Sequence, residues 1–126
     1  MGRFRGAEVY DDYGHHPTEV RATVQAAREL PHRRLILVFQ PHRYTRWKAL
    51  KDDFVRSFEA ADEVIVTDIY SAGERPIEGV TAADLPFFAA DFDRVRTLLE
   101  EMVAEGDLVL FMGAGDIGRL ARELAD

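Results

Sequence analysis

Two carboxylates, a tyrosine, a glycine and two histidines fill the six positions from Asp11 to His16, in the stretch DDYGHHP. An aspartate can accept hydrogen bonds from sugar hydroxyls or an ammonium group, and an imidazole titrates near neutrality. Such a corner can hold a small polar ligand and exchange a proton with it. A second cluster, PHRYTRWK, starts at Pro41 and carries His42, Arg43 and Arg46. Guanidinium groups match a carboxylate or phosphate with two parallel hydrogen bonds. Both arginines fall just before or inside the first turn of an expected helix, where the backbone dipole disfavours cations. An anion between them and the helix start would offset that cost, and so would solvated pairing with Asp52 and Asp53. Asp68, Tyr70 and Gly73-Glu74-Arg75-Pro76 form a third group, and Gly113-Ala114-Gly115-Asp116 a fourth.

Other chemistries fit these residues less well. A metal would need His15, His16 or His42 together with an aspartate, but adjacent histidines rarely reach one ion, so no metal site is expected. Asp11, Asp12 and Asp68 mimic the acidic pocket of a phosphoacceptor receiver domain, yet the last strand runs into FMGAGDIG, without the lysine such a pocket needs. GAGDIG matches the G-x-G-x-x-G dinucleotide fingerprint in form only. That fingerprint opens a βαβ unit with an acidic residue about twenty positions further on, and here the sequence stops at Asp126. The glycines then imply either a backbone close to a ligand or a tight helix–sheet contact.

The elements that must position these groups follow from apolar periodicity. AEVYDDY (7–13) reads as a strand, and Pro17 with Glu19 suits the first turn of a helix whose stripe is Val20, Val24, Ala27 and Leu30. RRLILVFQ (33–40) is a continuous apolar run, the mark of a strand buried on both faces. Trp47, Leu50, Phe54, Phe58 and Ala61 recur at helical spacing, followed by a strand in EVIVTDIY (63–70) and a loop in SAGERPIEGV. A weak strand at PFFAA, a helix through Phe92, Val95, Leu98, Leu99 and Met102, a strand in DLVLFM and a last helix through Ile117, Leu120, Ala121 and Leu124 complete the chain. Alternating strands and helices predict an α/β fold: three layers, Rossmann-like, a mostly parallel sheet of five to six strands with helices on both faces. In such sheets ligands bind at the carboxyl ends of the strands. All four clusters follow a strand, so one rim can carry them all.

The chain has 126 residues, 47% of them hydrophobic and 31% charged, which fits one domain with a real core. A net charge of −7 argues against nucleic acid, whose phosphates require a basic face. No apolar run is long enough to span a bilayer, no signal peptide opens the chain, and the absence of cysteine fits a reducing cytoplasm.

DDYGHHPTEV, VFQPHRYTR, TDIYSAGERPI and GDLVLFMGAGDIG, in this order, resemble the C-terminal domain of the Mur ligases over nearly the whole chain. DDYGHHPTE with FQPHRYTR resembles the branch that joins L-alanine to UDP-N-acetylmuramate, and the tripeptide-recycling branch is less similar at the first motif. The resemblance implies an enzyme of three domains: one for the UDP-sugar, a central one with a P-loop for ATP, and a last one closing over the site. It implies ATP and Mg2+ as cofactors in the full enzyme, phosphorylation of the muramate carboxylate, and attack by the alanine amine to give an amide in peptidoglycan precursor synthesis. Carried over by motif, Asp12 would contact the ATP ribose or neighbouring groups, while Tyr13, His15, Arg43 and Arg46 would line the amino-acid pocket, with His42 beside them. His15 is the candidate to take a proton from the attacking ammonium.

Two departures from the family pattern qualify this. No G-x-x-G-K-[ST] occurs, so residues 1–126 are expected to be the single C-terminal domain of a longer ligase, inert alone and binding no cofactor alone. GVTAADL also runs almost directly into PFFAADFDRV, as though about ten residues were missing after Leu85, which leaves the packing there open. A non-catalytic receiver-like or nucleotide-sensing α/β module is the alternative.

Overall fold

The computed structural model describes residues 2–125. In chain order the elements are β1 (Gly2–Phe4), β2 (Ala7–Asp12), α1 (Pro17–Arg28), β3 (Leu35–Phe39), α2 (Tyr44–Ser57), β4 (Glu63–Thr67), β5 (Phe88–Ala89), α3 (Phe92–Met102), β6 (Leu108–Met112) and α4 (Ile117–Leu124). One six-stranded sheet has the order β1-β2-β6-β3-β4-β5, with β1 antiparallel to β2 and every other pair parallel. This is the expected three-layer α/β architecture.

The two runs without polar residues, LILVF and LVLFM, are the central pair, and each is buried along its whole length. Alternate side chains divide between two cores, as the pleat requires. Leu35, Leu37, Phe39, Leu108, Leu110 and Met112 face α1 and α2, packing on Val20, Val24, Trp47 and Phe54. Ile36, Val38, Val109 and Phe111 face α3 and α4, packing on Val95, Leu99, Ile117 and Leu120.

Three features depart from the sequence expectations. Strand β1 was not legible: three residues are too few for a pattern, and their pairing depends on the tight turn at Arg5 and Gly6, both at positive φ, which pairs Phe4 with Ala7. Leu30 lies beyond the end of α1 and is 40% exposed rather than part of the buried stripe. Helix α2 ends at Ser57, so Phe58 and Ala61 join the core from the turn that follows. The shortened connection before PFFAA is packed: Ala82 is fully buried, the Trp47 indole N–H donates to the Thr81 carbonyl at 3.0 Å, and Lys51 pairs with Asp84.

The connections leaving the sheet place the crevice. After β2 and β3 the chain passes to the α1/α2 face, whereas after β6, which lies between them, it passes to the α4 face. Neighbouring loops therefore diverge around the carboxyl end of β6, where open α/β sheets bind ligands.

Candidate functional site: the carboxyl rim of the sheet

The first loop, residues 13–16, turns sharply on Asp12, whose Oδ1 accepts the Gly14 N–H at 2.7 Å. A β-carbon at position 14 would stand 2.8 Å from Met112 Cε and 3.0 Å from Asp12 Oδ1, so glycine lets the loop lie close to β6 without displacing the Met112 side chain. Glu19, in the first turn of α1, accepts the backbone N–H groups of both His15 and His16 at 3.1 Å. Its carboxyl is held below the usual glutamate range, first by the His15 N–H. These bonds fix the two imidazoles at the rim. His15 Nδ1 lies 3.2 Å from the Tyr13 carbonyl, which can only accept, so the ring proton is on Nδ1. The neutral ring then keeps its lone pair on Nε2.

The second loop meets the first. The rings of His15 and His42 are 6.1 Å apart, and His42 stacks on Tyr70 at 5.6 Å and 11°. Arg46 Nη1 donates to the His42 carbonyl at 3.0 Å and lies 3.1 Å from His42 Nδ1. Because a guanidinium has no lone pair to offer, that contact fixes His42 as a neutral ring protonated on Nε2. Burial, then the charges of Arg46, Arg43 and His15, push the His42 pKa below its ordinary value, in agreement with that tautomer.

Arg43 is the N-cap residue of α2, with φ of +76°, held there by its N–H to the Tyr70 carbonyl at 2.8 Å. Arg46 lies one turn inside the helix. An anion does sit at this helix start, but it belongs to the chain: Glu74 accepts the Thr45 hydroxyl at 2.6 Å and the Thr45 N–H at 3.2 Å, and it feels the charge of Arg43. Solvated pairing of the arginines with Asp52 and Asp53 is not what forms, since Asp53 pairs with Arg56. The internal carboxylate near Arg43 is thus bonded to Thr45, and Arg43 remains exposed.

The rim divides the expected residues. His15, His42 and Arg46 come together, with Arg43 beside them. Asp12 and Tyr13 instead line a small pocket of about 210 Å³ on the α4 side of β6, with Gly113, Asp116, Arg119 and Arg122. Tyr13 is 76% exposed and does not join the imidazole row. A cleft of about 680 Å³ lies on the other side of Tyr70. Asp68, Glu74, Asp91, Asp93 and Asp116 line it without a single lysine or arginine, so it is no place for an anion. Among the described residues no group of three histidines, aspartates or glutamates could hold a metal ion. No helix among them is long and apolar enough to cross a membrane.

Sequence reading assigned no role to Gln40 or Glu74, although both do work at the rim. Gln40 is buried, donates to Asp116 Oδ1 at 2.7 Å and accepts the Ile117 N–H at 3.2 Å, tying the β3 loop to the start of α4. A polar residue closing an otherwise apolar strand was its signal. The glycines of GAGDIG serve contacts within the fold. A β-carbon at position 115 would meet Tyr70 and Gln40, and one at position 113 would meet Ile117 and Gln40.

Known proteins similar to this chain identify its family. The family model "Mur ligase, glutamate ligase domain" matches residues 1–115. The UDP-N-acetylmuramate–L-alanine ligase of Geotalea daltonii is 49% identical over 99% of this chain. Its alignment runs over 136 positions, more than the 126 residues here, so that relative carries residues this chain lacks. The crystal structure of the UDP-N-acetylmuramate–alanine ligase of Thermotoga maritima superimposes with a TM-score of 0.64 at 29% identity, over 92% of this chain and 26% of that one. A separately solved domain from Haemophilus ducreyi, titled as that of a UDP-N-acetylmuramate:L-alanyl-gamma-D-glutamyl-meso-diaminopimelate ligase, reaches a TM-score of 0.70 at 26% identity. It is covered over 93% of its length, and this chain over 98%. The chain spans 30% of the Geotalea protein's length, so the comparison concerns one part of such an enzyme. By the family model and these relatives, the chain belongs to the Mur ligase family and carries its glutamate ligase domain.

Proposed function

We propose that this chain is the amino-acid-receiving domain of an ATP-dependent, amide-forming ligase that adds L-alanine to UDP-N-acetylmuramate in the cytoplasm. The observation that carries the reading is the meeting of the first two loops: two imidazoles 6.1 Å apart, one of them bonded to Arg46, with Arg43 alongside. The relatives that bear this name supply the reaction; the rim supplies a reason for the part this domain plays in it.

The amino acid brings a carboxylate and an ammonium. Arg43 and Arg46 are suited to the carboxylate, since planar guanidinium groups pair with it through two bonds at once. The ammonium must lose a proton before its nitrogen can attack a carbonyl carbon. His15 offers Nε2 for that proton, because its Nδ1–H is committed to the Tyr13 carbonyl. His42 is neutral and stays so near pH 7, so it adds no charge that would repel the ammonium. Asp12 Oδ2 remains free to accept a ribose hydroxyl while Oδ1 holds Gly14, and Tyr13 stands beside it on the α4 side of β6, outside the imidazole row. ATP, when bound, supplies the energy by converting the muramate carboxylate to a better electrophile. With neither a P-loop nor a metal cluster here, its phosphates and Mg2+ would be held mainly by other domains, as would the UDP-sugar.

The test is steady-state kinetics of the intact ligase. Arg46→Ala is expected to raise KM for L-alanine about 10- to 100-fold, the value of one or two charged hydrogen bonds, with KM for ATP and UDP-N-acetylmuramate little changed. An unchanged KM for alanine refutes the assignment. His15→Asn is expected to lower kcat; full turnover by that variant excludes the proton-transfer role. The 126 residues alone are expected to hydrolyse no ATP.

A further inference from the structure

Three of the four rim loops converge on one side chain to which the proposed reaction gives no part. The Tyr70 ring stacks on His42 at 5.6 Å and 11°. On another side it abuts Gly115 so closely that a β-carbon there would stand 2.5 Å from Tyr70 Cγ and 2.8 Å from Cδ1. Its main chain is equally engaged: Tyr70 N–H donates to the Pro41 carbonyl at 2.8 Å, and its carbonyl accepts the Arg43 N–H at 2.8 Å. Residues 42 and 70 form an isolated parallel bridge that extends the β3–β4 pairing past the last regular residues.

We propose that Tyr70 is a positioning residue of the rim: its ring, set between His42 and Gly115, orients the His42 imidazole and through it the Arg46 guanidinium bonded to Nδ1. The proposal deepens the amino-acid reading of this rim and rests on it for its functional meaning. Its physical content is separate. The His42 ring has one rotatable bond to the backbone and one to the ring. The Arg46 bond to Nδ1 restrains one edge of the ring, and the Tyr70 stack restrains its face, so together they leave one orientation. Gly115 closes the ring on its far side, while the rest of the ring, 37% exposed, borders the cleft. The groups whose charge reaches His42 are Arg46, Arg43, His15 and Glu74, and the stacked Tyr70 ring covers one face of the imidazole. Burial is the largest cause of the depressed His42 pKa, so uncovering the ring raises it.

The main-chain bonds of Tyr70 survive substitution, which isolates the effect of the ring. The experiment follows the His42 imidazole and Arg46 side-chain N–H signals of this chain by NMR across pH. Tyr70→Phe keeps the stack and is expected to leave the His42 midpoint where it is. Tyr70→Ala is expected to move that midpoint up, to abolish the ring-current displacement of the His42 protons, and to shift the Arg46 side-chain N–H signals as the Nδ1 contact loosens while the bond to the His42 carbonyl remains. Gly115→Ala forces the ring to give way and is expected to displace the same resonances with Tyr70 still present. A folded Tyr70→Ala chain with unchanged His42 signals overturns the proposal, as does Tyr70→Phe behaving like Tyr70→Ala. Should Tyr70→Ala not fold, unchanged His42 signals in Gly115→Ala overturn it. The readout is His42 and not ligation, so a failure of the amino-acid reading would leave this result standing and recognisable as separate.

Discussion

The two ends of the sheet use the same residue types to opposite ends. At the amino ends of β3 and β6, Arg33 and Arg34 close on Asp107, whose side chain is completely buried. Its Oδ2 accepts the Ala104 N–H at 2.9 Å, Arg33 Nη2 at 3.1 Å and Arg34 Nη2 at 3.2 Å, while Arg33 Nε lies 2.9 Å from Oδ1. At the carboxyl end of β3, Arg43 has an internal carboxylate nearby, Glu74, which is itself bonded to Thr45, while Arg46, among the described residues, is bonded only to His42. Two adjacent arginines around a buried acid make a clasp. Two arginines one helical turn apart, with half-exposed imidazoles, leave positive charge unspent. The first arrangement holds β3 and β6 together where they begin, and the second keeps capacity for a ligand where they end.

Breaking the clasp is expected to have the largest effect on stability. Asp107→Asn leaves two guanidinium groups without their counter-charge; because both are partly exposed, we expect a loss of about 2–3 kcal/mol, toward the lower end for a broken buried pair. That corresponds to a fall of roughly 10 °C in Tm by calorimetry. Burial pushes the Asp107 carboxyl up, but the Ala104 N–H and the two guanidinium groups outweigh it, and the net shift is downward. A depressed carboxyl adds stability above its unfolded pKa of about 3.9 and loses it as pH falls through the folded value. The gap between wild type and variant should therefore close in acid below about pH 4. A constant gap there would mean that the clasp works through packing and not through charge.

The matching change at the rim should reverse the pattern. Arg43→Gln is expected to cost the fold less than about 1 kcal/mol, as an exposed side chain with no carboxylate bonded to it, while raising KM for L-alanine severalfold in the intact ligase. A loss of stability comparable with that of Asp107→Asn would erase the contrast between the two ends. His42 sharpens the same point through pH. Its folded pKa is lowered, so the folded state binds fewer protons than the unfolded chain just below about pH 6.5, and stability falls as pH drops through that range. In His42→Asn that part of the acid limb should disappear from the Tm profile.

How legible each end was in the sequence follows from the range of its signals. The apolar runs LILVF and LVLFM announced buried parallel strands, because burial on both faces leaves no polar alternation to misread. Pro17 and Glu19 marked the start of α1 for equally local reasons. By the strand-end rule the four loops belonged on one rim, and the meeting of His15 with His42 accords with that. What the sequence did not show is how the rim is partitioned. Asp12 and Tyr13 point to one side of β6 and the imidazole row to the other, which depends on the insertion of β6 between β2 and β3. Nor did it show that Glu74, 29 residues beyond Thr45, supplies the anion at the start of α2. Asp107 passed unnoticed for the same reason, since its partners lie more than seventy residues away.

Glu74 is where the two ends come closest in kind, and its removal is expected to give the smallest effect. The Thr45 hydroxyl, above all, holds its carboxyl below the ordinary range. A lowered carboxyl contributes above about pH 4.3 and fades as pH falls through its folded value. Glu74→Gln keeps one acceptor for Thr45 but loses the charge facing Arg43, so at pH 7 Tm should fall only slightly, and by less still in acid. The exposed position explains the modest size, since water screens what burial protects at Asp107. KM for L-alanine should stay within about twofold, because a cap on one N–H sets the helix start without touching the substrate. A drop in Tm as large as that of Asp107→Asn would make Glu74 a second clasp. The charge on Arg43 would then already be spent, and the rim would have lost its claim on an incoming carboxylate.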